Sequence, residues 1–345
     1  MGGVEGESAV NHFKRTAKSA AEGLGLYRLA RQVNRQRAAI LMYHGVTREE
    51  QSPDWAQVPL AAFEQQMGYL KEHYNVVPLR QLLGMLASGT VAPYTAAVTF
   101  DEGYRSTYEL IHPVLQRLGI PATTYLTTEF VRSTPHDHRY IWTDYIAVLL
   151  ESCGEPQLDL RPWGLPILDI STPERLYRAR RLISLHLKAL RSLDKDGVLK
   201  ALEDRYGERV EHCRFARYHG LTWDEVQAMS QQGWIDFGAH TRSHPILSRI
   251  DMPRLEEEVL GSRDDIHSHL GRYVEDFAFP SGRREDISDE AMALVRREFK
   301  SAATTVCRLN EADQDPYFLF RLGIGCDLGF SSFKALLSGL YSFGK

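Results

Sequence analysis

The chain has 345 residues, enough for one large or two ordinary globular domains, and its 43% hydrophobic and 25% charged residues are typical of a globular protein. The formal net charge of −4 gives no overall attraction to nucleic acid, so we expect no nucleic-acid partner. No stretch approaches 18 consecutive apolar residues, so no transmembrane helix is predicted, and the four cysteines lack Cys-x-x-Cys spacing and fit a reducing compartment.

Residues 1–38 are predicted to form a basic helical extension. Apolar side chains recur at three- and four-residue spacing between Val10 and Tyr27, and seven Lys and Arg residues outnumber three Glu residues around them. Such a helix can lie on an anionic membrane, so residues 10–37 are a candidate for peripheral membrane contact; the alternative is a helix packed on the protein with its bases in water. Because the segment lacks the apolar core of a signal peptide, we expect a cytoplasmic location, at or near the inner face of the cell membrane.

From residue 39 onward, eight short apolar runs alternate with segments of helical periodicity. This alternation predicts βα units around a parallel sheet, and thus an α/β domain over residues 39–345. The predicted strands are Ala39–Tyr43, Asn75–Leu79, Ala96–Phe100, Ala122–Leu126, Trp234–Ala239, Asp276–Phe279, Ser301–Thr305 and Phe320–Ile324.

The alternation is interrupted by a helical insertion at about residues 150–218. Ser171-Thr-Pro-Glu174 has the spacing of a capping box and predicts the start of one helix, and a second helix is predicted from Asp196 to Tyr206. The insertion is either purely structural or covers a substrate groove.

Polar residues follow two of the predicted strands. Asp101 and Glu102 come directly after one, and His240 and His244 come directly after another. Buried carboxylates need a cationic partner, and the carboxyl ends of parallel strands meet on one face. Two imidazoles and one carboxylate are the ligand set of an open zinc site. Each pair also has an ordinary explanation, as a surface acidic pair or a chance His-x3-His spacing.

Three segments in order resemble the motifs of the polysaccharide deacetylases, carbohydrate esterase family 4. The resemblance covers residues 39–340 and implies an irregular (β/α)7-type barrel with the helical insertion and the N-terminal extension added to it. A further strand and two tail segments are similar to an exopolysaccharide-associated branch of that family. The segments are Thr99–Tyr104, His240–His244 and Phe277–Gly282 for the family, and Leu41–Val46, Ala303–Thr305 and Leu337–Leu340 for the branch.

The resemblance implies roles for individual residues. Asp101 matches the general base, while Glu102, His240 and His244 match the ligands of a divalent metal, which we expect to be Zn²⁺. His44 matches the proposed general acid of the branch; the alternative is a satisfied core histidine at a strand end.

The same resemblance implies which residues would contact the oxyanion and the substrate. A backbone N–H near Ser281, in a segment fixed by Pro280, would face the oxyanion, and Tyr104 and Trp142 are candidate substrate contacts. The alternative for Trp142 is that it is a buried core residue without contact to the substrate.

The chain departs from the family pattern at three positions. Glu102 replaces the usual second aspartate and lengthens the ligand by a methylene group. Ala278 and Ser281 stand where many members have an arginine and an aromatic residue, and the exopolysaccharide-associated branch tolerates both changes.

The expected function is therefore a metal-dependent deacetylase acting on an N-acetylated amino sugar of a surface glycan or of its carrier-linked precursor, in exopolysaccharide biosynthesis. Hydrolysis of an ester or of a different amide by the same metal site stays open. A different class of function is also open, in which Glu102 marks a catalytically impaired glycan-binding or scaffold subunit of a synthesis complex.

Overall fold

The computed structural model describes residues 26–49, 54–134 and 137–340. Most of the predicted N-terminal apolar stripe, from Val10 to Leu24, lies outside these residues, so membrane contact through residues 10–37 stays a prediction. The described part of the extension is a helix over Leu26–Val33, which buries Tyr27 and exposes Leu29. None of the helices in the described ranges combines the length and apolar character that crossing a bilayer requires.

Eight parallel strands form one curled sheet at the centre of the described residues, with the order β11-β10-β9-β6-β5-β1-β12 and β4 paired beside β5. A parallel bridge between Ala303 and Leu319 brings the chain just before β12 against β11, so the two ends of this order approach each other. The sheet strands are β1 Ala39–Tyr43, β4 Asn75–Val76, β5 Thr95–Phe100, β6 Ala122–Leu126, β9 Ile235–Ala239, β10 Asp276–Ala278, β11 Ser301–Ala303 and β12 Leu322–Gly323. The predicted irregular (β/α) barrel is confirmed.

The sheet is covered on both faces, as expected for parallel strands joined by helices. Every residue of β1 and β5 is buried, which explains why these strands have continuous apolar sequences instead of alternating ones. The smaller strands are β2 Gly45–Thr47, β3 Gln57–Pro59, β7 Gln157–Asp159 and β8 Ile167–Asp169. The helices are α1 Leu26–Val33, α2 Leu60–His73, α3 Leu79–Ala87, α4 His112–Leu118, α5 Trp142–Ser152, α6 Pro173–Ala189, α7 Ser192–Tyr206, α8 Trp223–Gln232, α9 Met252–Leu270, α10 Asp289–Glu298 and α11 Phe330–Ser338.

The last strand is shorter than its apolar run. The prediction was Phe320–Ile324, but the backbone N–H of Phe320 donates to the side-chain oxygen of Asn310, and that of Arg321 donates to the carbonyl of Val306. These two groups are therefore unavailable to a strand partner, and regular pairing with β1 is confined to Leu322 and Gly323.

Helices α5, α6 and α7 and the β7–β8 hairpin pack around a hydrophobic cluster of their own, which includes Ile146, Ile183 and Leu202. The start of α6 falls within the predicted motif, at Pro173, but the predicted capping box does not form, and the predicted start of α7 was wrong. The N-cap of α6 is Thr172, whose hydroxyl accepts from the backbone N–H of Arg175, because Ser171 is bound to Asp169 instead. Helix α7 begins at Ser192, four residues before the predicted Asp196, because only two extended residues separate it from α6.

Arg180 of α6 connects this cluster to the barrel. Its guanidinium binds Asp54 at 2.9 Å and Asp144 at 3.2 Å, and Asp144 also accepts a 2.6 Å hydrogen bond from the Tyr104 hydroxyl. Burial and the neighbouring Asp54 raise the pKa of Asp144 to about 7, against the opposing effect of Arg180. The guanidinium therefore compensates two buried carboxylates from two parts of the chain.

Replacing this guanidinium should destabilise the protein. In Arg180→Met the two carboxylates keep their burial but lose their shared cation, so we expect a loss of about 3–5 kcal/mol in the free energy of unfolding, measured by urea denaturation. Arg175→Met is the matched control, since Arg175 is an exposed residue of the same helix paired with exposed Asp169, and its cost should stay below about 1 kcal/mol. Similar losses in the two variants would contradict the assigned role of Arg180.

Candidate metal and catalytic site

The predicted site residues lie at or just beyond the carboxyl ends of four strands of the sheet, with β6 between the two pairs. His44 follows β1, the Asp101–Glu102 pair follows β5, the His240–His244 segment follows β9, and Pro280 lies two residues after β10. The sheet order places these strand ends on one face, where ligand sites of barrel proteins occur.

Three imidazoles point their Nε2 atoms toward one oxygen of Glu102. The Oε1 atom lies 3.4 Å from Nε2 of His244, 3.8 Å from that of His44 and 3.9 Å from that of His240. Within the described ranges, Glu102, His240 and His244 are the group whose potential ligand atoms all lie within 4.8 Å of one another. The structure thus brings together the three residues that the sequence singled out as metal ligands.

The donor set fits a divalent cation. His240 donates its Nδ1–H to the Ala278 carbonyl at 2.7 Å, which leaves Nε2 as a free lone pair, the usual arrangement of a metal-binding histidine. Burial lowers the pKa of His240 and of His244 to about 3, so both rings are neutral at neutral pH. The Oε2 atom of Glu102 and the Nδ1 atom of His244 are buried without a hydrogen-bond partner.

The charge of Glu102 also requires a cation. Burial raises its pKa to about 7, with His44 acting against this rise and Asp101 adding to it. A divalent ion bound to the carboxylate would hold it ionised.

Left-handed backbone conformations are concentrated at this site. Glu102, Thr241, His244 and Ser281 have φ between 59° and 66°, although none is glycine. Such residues cost about 1–3 kcal/mol each and persist where the surrounding structure determines them fully. Gly103 continues the turn at φ 93°, where a Cβ would lie 2.8 Å from the Leu126 side chain.

Asp101 forms a bidentate ion pair with Arg321. The Nη1–Oδ1 and Nη2–Oδ2 distances are 2.6 and 2.7 Å, and Arg321 is entirely buried. Burial alone would raise the pKa of Asp101, but Arg321 and then His240 outweigh it and bring it to about 2. Arg321 also donates from Nε to the Thr304 carbonyl, so its own position is fixed.

Arg321 is a site residue that the sequence pattern did not reveal. A charged residue in the middle of a predicted buried strand, Phe320–Ile324, was the available signal. It supplies the cation beside Asp101 in a chain that has Ala278 in place of the arginine of the third family motif.

His44 lies at the edge of the ligand group. Its side chain is 15% exposed, and its Nδ1 atom is buried with no hydrogen-bond partner among the described residues. This environment differs from that of a satisfied core histidine. Its ring is in edge contact with Trp55, at 5.3 Å between centroids.

Trp55 is a second site residue that the sequence motifs do not include. Its indole is 38% exposed beside His44, and it occupies the space where a side chain at Gly325 would lie, 2.1 Å from a Cβ built there. An exposed indole at the edge of such a site is a ready surface for a sugar ring.

Ser281 and its neighbours follow β10 at the same end of the sheet as the ligand group. Pro280 is buried, and the Ser281 carbonyl accepts a 2.6 Å hydrogen bond from the Thr305 hydroxyl. The Ser281 backbone N–H forms no hydrogen bond with any residue that the structure describes.

Tyr104 and Trp142 lie in the cluster around α5–α7. Tyr104 is 2% exposed, its hydroxyl is engaged by Asp144 and its ring packs edge-on against Phe130. Trp142 is 7% exposed, and its indole N–H is buried without a partner.

A cleft of about 800 Å³ adjoins the site without including the ligand residues. Arg242 and Ser243 line it, together with Tyr140 and the side chains of Lys200 and Glu203 on α7. The loop between His240 and His244 therefore separates this cleft from the ligand atoms.

The comparisons with known proteins agree with this arrangement. The sequence model of the polysaccharide deacetylase family matches residues 88–148 and 190–297, which include Asp101, Glu102, His240 and His244. The match covers 169 of the 345 residues, so the chain is similar to the polysaccharide deacetylase family over both segments that carry the site. Residues 149–189, which the match leaves out, contain the β7–β8 hairpin and α6.

Individual relatives are distant from this chain. The Bacillus subtilis protein YxkH, named for the polysaccharide deacetylase family, is 29% identical over 101 residues, which are 29% of this chain and 34% of YxkH. The Streptococcus pyogenes deacetylase PplD, solved with acetate, has a TM-score of 0.56 at 18% identity, with 88% of this chain and 98% of PplD covered. IcaB from Ammonifex degensii has a TM-score of 0.55 at 16% identity, with 88% and 98% covered. At these identities the two structures show a shared fold.

Removing Arg321 should expose the cost of burying Asp101. Arg321→Met leaves the carboxylate buried without its cation, so we expect a loss of about 3–5 kcal/mol in the free energy of unfolding, measured by urea denaturation. Asp101→Asn combined with Arg321→Met should cost much less than the sum of the two single variants, because neither charge is then left alone. Additive costs would mean that the two side chains are not energetically coupled.

Proposed function

We propose that the protein is a divalent-metal-dependent deacetylase that removes the N-acetyl group of an amino sugar in a surface glycan or in its carrier-linked precursor. The observation that carries this proposal is the convergence of Glu102, His240 and His244 beside an ion-paired Asp101 at the carboxyl ends of the strands. Similarity to the polysaccharide deacetylase family over residues 88–148 and 190–297 supports the same reaction class.

The residues fit the hydrolysis of an amide, in which a water oxygen bonds to the acetyl carbon and the C–N bond breaks. A cation held by Glu102, His240 and His244 would act as a Lewis acid toward the acetyl carbonyl and activate the water. Asp101 accepts the proton of that water. Arg321 occupies one lone pair on each of its carboxylate oxygens, and two further lone pairs stay available for the proton.

The remaining roles belong to His44 and Ser281. The amine leaves as a neutral molecule only if it receives a proton, and the partly exposed His44 beside the ligand group is suited to donate one. The unengaged backbone N–H of Ser281 is suited to donate to the developing oxyanion. Acetate and a free amino sugar are the products.

The substrate class is inferred from the same residues. The exposed indole of Trp55 beside His44 would stack on a sugar ring. The structurally similar deacetylase PplD was solved in complex with acetate, the acid that N-deacetylation releases. The Tyr43–His44 strand end and the two tail segments favour an exopolysaccharide substrate within the family.

The alternative function is a catalytically impaired glycan-binding or scaffold subunit, suggested by glutamate at position 102. The convergence of Glu102 Oε1 with His240 and His244 favours the enzyme. Metal content separates the two: a scaffold whose site has decayed should hold no stoichiometric metal when purified without chelator.

Acetate release with and without metal tests the proposal. We expect the purified chain to release acetate from N-acetylated sugars, to lose this activity on chelation and to regain it with zinc. His244→Ala and Glu102→Gln should lose both the bound metal, measured by elemental analysis, and the activity, because each removes one of three protein ligands. His267→Ala, in the last turn of α9 and outside the ligand group, is the histidine control. Metal retention by either ligand variant at the wild-type level would contradict the site.

Asp101→Asn separates the base from the metal site. The amide keeps the shape of the side chain but cannot take the proton of water, so turnover should fall by about 10² to 10⁴ while zinc content stays at the wild-type level. Single-turnover kinetics and elemental analysis of the same sample measure the two quantities. Turnover within a factor of about three of the wild type would assign the base to another residue.

A further inference from the structure

Helices α6 and α7 place two lysines beside the candidate metal site. Lys188 lies on the last turn of α6 and Lys195 on the first turn of α7. Contacts connect this junction to the loop that carries His244: Arg254 binds Asp196 at 3.2 Å and lies 4.0 Å from Glu258, which accepts from the backbone N–H of Ser243 at 2.8 Å. Lys188 also interacts electrostatically with Glu102. Neither lysine has a role in the hydrolysis derived above.

Lys195 is a buried ammonium whose ion-pair partner is shared with an arginine. Its Nζ atom lies 3.7 Å from Oδ1 of Asp196, while the other oxygen of that carboxylate accepts from Arg254 at 3.2 Å. Nζ also lies 5.0 Å above the ring of Trp142. Buried Glu258 also attracts Lys195 and lies 4.0 Å from Arg254, so these two cations face two carboxylates.

Lys188 is half-buried and forms no hydrogen bond or ion pair with the described part of the chain. Burial lowers its pKa, against the attraction of Asp286. A lysine in this state loses hydration without gaining a partner, which is costly unless an anion arrives.

Further unpartnered donors lie at the same junction. No side chain caps the N-terminus of the 15-residue helix α7, and the first N–H groups of a helix favour negative charge. The Ser192 hydroxyl, in the first turn of α7, and the Trp142 indole N–H beneath Lys195 are both buried without partners, in residues that are only 7% exposed. An unpaired ammonium on the last turn of α6 and several unpartnered donors at the start of α7 thus lie at one junction, which Arg254 and Glu258 connect to the loop before His244.

We propose that Lys188, Lys195 and the start of α7 bind a phosphate or diphosphate ester carried by the sugar substrate. The inference rests on the proposed deacetylase function and names its substrate class, an N-acetylated sugar still linked to a phosphate-bearing carrier. A neutral glycan would leave the half-buried Lys188 ammonium without an ion-pair partner among the described residues. Because the net charge of the chain is −4, the positive charge is a local feature of this position and not a general property of the surface.

Kinetics on matched substrates test the proposal. The substrates are one N-acetylated hexosamine presented as a nucleoside-diphosphate sugar, as a polyprenyl-diphosphate sugar in detergent, and as an unphosphorylated oligosaccharide. Lys188→Met and the double variant with Lys195→Met keep the apolar stems, and we expect them to raise KM for a phosphorylated substrate about tenfold or more with little change for the neutral one. Lys188→Arg should retain most of the affinity. The phosphorylated substrate with the larger loss identifies the carrier.

Lys300→Met is the matched control, because Lys300 is exposed and lies next to the amino end of β11, on the opposite side of the sheet from the site. Zinc content and thermal unfolding of each variant are measured in parallel, so that loss of metal or of fold is recognised. An equal effect on phosphorylated and neutral substrates, or no effect of the double variant on either, would overturn the anion site while leaving the deacetylase function intact.

A binding measurement tests the anion site independently of the deacetylase function. We expect inorganic pyrophosphate to bind the metal-loaded wild-type protein by titration calorimetry about tenfold or more tightly than it binds the double variant. If no acetylated sugar is hydrolysed but this difference is found, the deacetylase function fails and the anion site stands. Equal pyrophosphate affinity in the two proteins would refute the anion site.

Discussion

The arrangement of the site depends on the buried ion pair between Asp101 and Arg321. A carboxylate this deep in a barrel would ordinarily take up a proton, and a guanidinium this deep would not be tolerated alone. Together they satisfy each other, and Arg321 uses its remaining donors on the Thr304 carbonyl and the Thr99 hydroxyl. The pair links the end of β5 to the segment before β12, so one interaction keeps the base charged and joins the first half of the sheet to its last strand.

The ligand group beside this pair is stable only because the strands around it are rigid. Glu102 and His244 adopt left-handed backbone conformations, and both keep buried polar atoms without a protein partner. Each feature opposes folding, and the buried sheet on which they stand supplies the opposing stability. In the region of α5–α7, packing of apolar side chains likewise supplies the stability that offsets the burial of Arg180 and its two carboxylates.

The sequence was sufficient for features that depend on local pattern. Apolar runs defined the eight strands, and the positions of Asp101, Glu102, His240 and His244 after two of those runs defined where the ligands meet. Arg321 was out of reach because its partner is 220 residues away, and pairing at that distance leaves no local periodicity. Tyr104 is adjacent to the motif in sequence and its hydroxyl donates to Asp144, a contact 40 residues away that the motif does not predict; its contact with substrate stays a prediction. The start of α7 was missed because only two extended residues separate it from α6.

Because Trp55 packs against Gly325, a side chain at position 325 would change the shape of the site. The indole can lie beside His44 only because position 325, near the end of the chain, has no side chain. A methyl group there would move the aromatic surface without touching a ligand or the base, and larger side chains would move it further. Homologues could therefore diverge in the sugars they accept through a single position outside the sequence motifs, and an engineer could use the same position to widen or narrow the entrance while the reaction chemistry is conserved.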